Sequence, residues 1–529
     1  MLRVLTAVQP VLAQMTRGRA LSLAFAFMLL LVATPILMEP LPPLTDYVNH
    51  LARMHVMARL DSNPVLASLY NVHWAIIPNL IMDALVPPLV PHLGVLAAGQ
   101  MFLLLMVVLL VSGPMAIHRA LWGRLSPWPL LAFPLVYNGI FLYGLVNYLL
   151  GTGIALWGVA AWIAVRERSP WLRALVSAAV VLVLFFCHLF AAGLYGMTLL
   201  AYEGWRLWEH RRWNRRILLV DFAAFALPFL PVLPLIAASP TLGLSSEILW
   251  EPRGKLDGLY LAVQLYRDSV DMLFAAILIA AGVWMGRRGA LGLHPAGWAL
   301  LCLGAAVFLV MPRQLFGSWI ADQRLPTALM FLLLGFLAPD LRGRLSRGAF
   351  YVFLCGITLA RVGEVAINWW DLSAVTDDMT RAVSNIARGS KVLVAEADGS
   401  TQPPALVQAL SHAPLIAVIG RDALVSTIFS VPGKQVLGIE PEFSALVDRD
   451  DGFPPSMGQL IATTDRETPG NPRFWDFWPR HYDFLFLLYT EPHAANPDPD
   501  HLDFIAEGRG FQLYRVDSEP DDGSPRPGP

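Results

Sequence analysis

Apolar runs of about 20 residues recur along the first 370 positions and constrain the fold more than any other feature, since a helix of that length spans the hydrocarbon core of a bilayer. The first, "LSLAFAFMLLLVATPILM" (Leu21–Met38), follows Arg17 and Arg19. It is long for the apolar core of a secretory leader, and Met38-Glu39-Pro40 lacks the small residues of a cleavage site, so it reads as a retained helix. Hydropathy predicts about eleven spans, near 20–38, 95–117, 127–142, 147–165, 172–187, 190–207, 217–238, 269–286, 295–312, 325–339 and 348–368.

Composition agrees with a polytopic α-helical membrane protein. Only 15% of residues are charged, against roughly 25% in soluble domains. A net charge of −2 offers no bulk attraction for nucleic acid. The three cysteines, Cys187, Cys302 and Cys355, fall within apolar runs and form neither a disulfide framework nor a metal spacing.

Arginines set the orientation. Arg17, Arg19, Arg119, Arg124, Arg166, Arg168, Arg173, Arg206, Arg287, Arg288 and Arg347 fall on one side of the predicted spans, and far fewer fall on the other. The positive-inside rule makes the richer side cytoplasmic. An odd number of spans then places the N-terminus inside and everything after Trp370 outside. The sequence thus predicts a transmembrane domain over 1–370, with an outer loop 39–94 that carries a surface helix. An extracytoplasmic α/β domain is predicted over 371–516, followed by a disordered tail, 517–529. In the α/β domain "SKVLVAEAD", "YDFLFLLYT" and "FQLYRV" have the composition of strands.

The candidate chemistry gathers on the outer side. In "TDYVNHLAR", Asp46, His50 and Arg53 are spaced i, i+4, i+7 and share one helix face. Asp46 has two readings: an N-cap for a helix that follows Pro42 and Pro43, or a carboxylate that takes a proton beside His50. "IPNLIMDAL" sets Asn79 and Asp83 at i, i+4 after Pro78. "GLVNYLLG" puts Asn147 at an outward turn, and "FFCHLF" buries His188. "ADQRLP" carries Asp322 and Arg324, two apart and therefore free to diverge, Arg324 towards an anion and Asp322 towards a structural donor. No phosphate-cradling glycine loop, HExxH, GxSxG or Cys/His array is present.

This layout resembles the GT-C superfamily of integral membrane glycosyltransferases. The motifs "DYVNHLAR", "IPNLIMD", "GLVNYLLG", "ADQRLP" and "IGRDALVSTIFSVPGKQVL" also resemble a poorly characterised group of bacterial polytopic membrane proteins. The resemblance implies a bacterial cytoplasmic-membrane enzyme and a polyprenyl-phosphate sugar donor held by membrane lipid. It implies inverting transfer to an acceptor hydroxyl at the outer face, the acceptor itself staying open. Asp46 would be the catalytic base, with His50 tuning it. Arg53, Asn79, Asp83, Asn147, Asp322 and Arg324 would bind the substrate and its phosphate. No cofactor is implied, and a divalent metal is not indicated. Many members carry two adjacent acidic residues in this loop. Here Asp46 is followed by Tyr47, leaving Glu39 or Asp83 as the second carboxylate. A transporter or flippase, or a non-catalytic scaffold for lipid-linked envelope glycans, is the competing class.

Overall fold

The computed structural model describes residues 2–210, 215–244, 248–315, 317–341, 343–399, 401–449 and 454–517. Of the expected disordered tail, residues 518–529 lie outside the described residues. The chain forms two compact units, each assembled from separated stretches. The first comprises Met1–Met38, Pro78–Met82 and Gln100–Ile367. The second comprises Glu39–Ile77, Asp83–Gly99 and Asn368–Pro529.

The first unit is mainly helical, with an antiparallel strand pair, Leu291–Leu293 against Leu337–Pro339. Among the described residues, seven helices are long and apolar enough to cross a membrane: Gly18–Met38, Val95–Trp122, Val146–Val165, Pro170–Cys187, Leu218–Ala238, Asp268–Arg287 and Leu345–Val383. Pro295–Val310 and Arg324–Phe336 are shorter apolar helices. The Asp268–Arg287 helix exposes Met272, Leu273, Ile279 and Trp284, each more than half accessible. Such an apolar exterior suits contact with lipid tails, and the chain is a helical membrane protein.

One predicted span takes another form. Residues 127–142 fold as a 3₁₀ segment, Trp128–Leu135, followed by the short helix Gly139–Leu142. Pro127, Pro129 and Pro134 remove backbone donors from any continuous α-helix. Asn138 then starts a new helix by accepting a hydrogen bond from Phe141 N at 3.1 Å. Several charged side chains inside the unit are paired. Arg166 donates to Glu203 and Asp221, Arg173 to Asp221, and Arg361 to Asp271.

A five-stranded sheet organises the second unit, in the order Leu424–Val425, Lys391–Glu396, Phe484–Leu488, Phe511–Val516, Leu502–Gly508. The first two neighbouring pairs are parallel and the last two antiparallel. Phe484–Leu488 is buried along its whole length, as expected of a central strand covered on both faces. Trp478, Leu485, Tyr514 and Leu460 share its core. The apolar runs "KVLVAE", "FLFLL" and "FQLYRV" are thus strands.

Most of the outer loop, Glu39–Ile77 and Asp83–Gly99, clusters with this unit, while Pro78–Met82 clusters with the first. Tyr70–Val72 pairs antiparallel with Leu437–Ile439, with Tyr70 opposite Ile439 and Val72 opposite Leu437. Tyr70 also donates its hydroxyl to Ala423 O at 2.6 Å. These long-range backbone partners were invisible to local pattern.

Candidate functional site

After Pro40, Pro42 and Pro43 end the first helix, the chain turns into a new helix, Tyr47–Arg59. Tyr47 through Val56 are all buried within the protein, so its polar side chains must find partners inside the unit.

Asn49 is the most heavily used of them. It donates Nδ2 to Thr427 O at 2.9 Å and accepts Phe429 N on Oδ1 at 2.8 Å. Nδ2 also lies 3.2 Å from His412 Nδ1. Since that amide nitrogen only donates, His412 Nδ1 is the acceptor and its proton sits on Nε2. Burial pushes the His412 pKa down to about 4, keeping the ring neutral at pH 7.

His412 Nε2 in turn faces Asp46 Oδ1 at 3.7 Å. Asp46 occupies the N-cap position with helical backbone angles, φ −83 and ψ −10, and makes no capping hydrogen bond with its side chain. The geometry therefore does not use this carboxylate as a cap. Its side chain stays 27% accessible, at the head of an otherwise buried helix.

His50, expected to tune Asp46, packs edge-on against Phe429 with ring centroids 5.6 Å apart. Its Nδ1 is buried without a hydrogen-bond partner. Burial first, then the nearby Arg53 and His412, hold its pKa well below the usual histidine value. Arg53 donates Nε and Nη2 to the two oxygens of Asp83, at 2.8 and 2.9 Å. Its Nη1 is buried and has no partner. Burial raises the Asp83 carboxyl pKa even against that guanidinium.

The remaining candidates collect in the first unit. Asn79 has a positive φ of 82°, a conformation asparagine tolerates better than most residues. The following helix starts only at Ile81, so Asn79 and Asp83 do not form the expected i, i+4 pair. Asn147 Nδ2 instead donates to Asn79 O at 3.0 Å. Next to it, Tyr148 donates its hydroxyl to Arg324 O at 3.0 Å. Arg324 Nη1 donates to His188 Nε2 and Nη2 to Trp319 O, both at 2.8 Å. Its guanidinium lies 5.8 Å from the Tyr148 ring centroid and 5.5 Å from that of Phe190.

The three polar residues of "ADQR" diverge. Asp322 pairs with Lys255 Nζ at 2.7 Å, Gln323 donates to Gly254 O at 3.0 Å, and Arg324 turns to His188. The first two fasten the loop to the Arg253–Leu261 helix. Asn79, Asn147, His188 and Arg324 thus meet at one end of the first unit, where the Val146–Val165 and Arg324–Phe336 helices begin and the Pro170–Cys187 helix ends.

Sequence reasoning missed His412, whose segment "SHAPL" carries no motif. It missed equally the backbone of Thr427 and Phe429, although both lie within the quoted stretch "IGRDALVSTIFSVPGKQVL". Among the described residues, no group of three or more His, Cys, Asp or Glu is placed to hold a metal ion. Comparison with known protein families, with curated proteins and with solved structures finds no match for this chain.

Proposed function

We propose that the chain is an inverting GT-C type glycosyltransferase that moves a sugar from a polyprenyl-phosphate lipid to an acceptor hydroxyl. We further propose about eleven crossings of a bacterial cytoplasmic membrane, an N-terminus inside and the sheet-bearing unit outside, from the distribution of arginines. The observation that carries the reading is Asp46: an accessible carboxylate that does no capping work and faces a histidine of fixed tautomer.

In the proposed step Asp46 accepts the proton of the acceptor hydroxyl as that oxygen bonds to the anomeric carbon. The bond from that carbon to the phosphate oxygen breaks, and the polyprenyl phosphate leaves with the electron pair. His412 orients Asp46 by presenting its Nε2 proton. Arg53 Nη1, which lacks a partner, supplies positive charge to the leaving phosphate. General-base assistance of this kind contributes roughly 10²–10⁴-fold.

Asp46→Asn tests it in membranes supplied with radiolabelled polyprenyl-phosphate sugars. Transfer is expected to fall by at least about 100-fold, with the thermal midpoint of the purified variant near that of the parent. Transfer at the parental rate would remove Asp46 from the chemistry.

A further inference from the structure

The second unit contains a cavity of ≈ 490 Å³ that neither Asp46 nor His412 lines, bordered by Arg59, Ser62, Asn63, Val65, Val90 and Arg388. We infer that this cavity is a binding site for a phosphate ester, with the Arg59 and Arg388 guanidinium groups holding the phosphate. The inference stands independently of the sugar-transfer reading.

Three observations converge on it. First, two arginines border the cavity and no carboxylate does. Second, Arg388 is held in place from behind. Its Nε donates to Asp422 Oδ2 at 2.9 Å, and its Nη2 bonds the same oxygen. Asp422 is itself fixed, with φ 52 at the C-terminal end of the Ile416–Arg421 helix and with His55 Nε2 at 3.2 Å from Oδ1. The Arg388 side chain nevertheless remains 60% accessible, so part of the fork faces outward.

Third, the charges do not cancel. Asp422 offsets Arg388, whereas no ion pair involves Arg59 among the described residues. His55 contributes no charge of its own at pH 7, because burial lowers its pKa despite the Asp422 contact. Gly389 keeps the wall tight at this point: a Cβ there would lie 2.9 Å from Val65 Cγ1, and its φ is +76. The cavity is within the size range of small-molecule sites and exceeds what one bare anion fills. Val65 and Val90 supply apolar wall for the organic part of the ligand.

Forked guanidinium donors match phosphate oxygens better than a point charge does. A soluble phosphomonoester and a lipid phosphate headgroup share this chemistry, and two probes separate them. The full-length chain is reconstituted in phosphatidylcholine nanodiscs and titrated with glycerol 3-phosphate, with intrinsic tryptophan fluorescence and thermal midpoint as readouts. A second preparation replaces part of the phosphatidylcholine with phosphatidate.

Saturable binding of glycerol 3-phosphate, weakened at least tenfold by Arg59→Gln, supports a soluble ester. A midpoint raised by phosphatidate alone, and not in Arg59→Gln, supports a headgroup. Arg59 is exposed and unpaired, so its variant is expected to unfold at the parental midpoint without ligand. Arg388→Gln leaves Asp422 uncompensated; if it fails to fold, Arg59→Gln alone decides. The inference is overturned if neither probe has an effect, or if Arg59→Gln responds to both as the parent does.

Discussion

Arg53 and Asp83 stand thirty residues apart in the chain and meet through two parallel hydrogen bonds, Nε to Oδ1 and Nη2 to Oδ2, with each side chain at most 2% accessible. The pair joins the Tyr47–Arg59 helix to the second half of the outer loop. Because both charges are out of water, losing one partner strands the other. Asp83→Leu is expected to cost about 3–5 kcal/mol, and Arg53→Met/Asp83→Leu to recover most of it. Thermal unfolding of the detergent-solubilised chain reads both. A double variant as unstable as the single one would show that shape, not charge, sets the cost.

Asn49 gives a sharper test of the same helix. Asn49→Asp keeps the acceptor for Phe429 N but loses the donors to Thr427 O and His412 Nδ1. Each buried group left without a partner costs about 1–3 kcal/mol, so a loss of roughly 2 kcal/mol or more is expected near neutral pH. Asn49→Asp with parental stability would mean that these bonds contribute nothing net.

Acid should loosen the second unit. His412, with a pKa of about 4, and His50 and His55, also lowered by burial, stay neutral in the folded chain. An unfolded histidine takes up its proton near pH 6.5. Between those values the unfolded state binds more protons, so stability falls as pH drops from about 6.5 towards 4, by up to roughly 1.4 kcal/mol per pH unit and histidine. His50→Phe loses no hydrogen bond at Nδ1 and keeps an aromatic ring against Phe429. Its thermal midpoint should change little at pH 7.5 and fall less than the parent's by pH 5. Asp83, whose raised pKa acts with the opposite sign, is common to both proteins and cancels. Equal acid sensitivity in the two would rule out His50 as a contributor.

Local pattern made the helix at Tyr47 legible, because prolines end one helix and the i, i+4, i+7 spacing begins another. It also made the strands legible, since five- and six-residue apolar runs between Gly, Asp and Pro have few other uses. The side of the helix that finds partners was not legible. Asn49 is completed by backbone groups more than 370 residues away, and no periodicity encodes that. Arg53 shows the same gap, because its partner Asp83 looked from spacing like a companion of Asn79. The divergence of Asp322 and Arg324 was readable, as residues two apart cannot face one another. Lys255 and His188 as their partners were not, being set by how separate helices pack. The 3₁₀ form of 127–142 was not legible, because hydropathy counts apolar residues and is blind to the donors that its prolines remove.

The enclosure of Tyr47–Val56 has a consequence for biosynthesis. Asn49 and Thr427 are separated by 378 residues, and ribosomes add roughly 5–20 residues per second. For about 20–75 s, therefore, the newly made segment carries an asparagine and two histidines whose eventual hosts do not yet exist. Arg53 can reach Asp83 early; Asn49 must wait for nearly the whole polypeptide. The amino-terminal part of this unit is thus an early-made piece locked by a late-made one. A truncation before Thr427 would leave it open to proteases and quality-control factors.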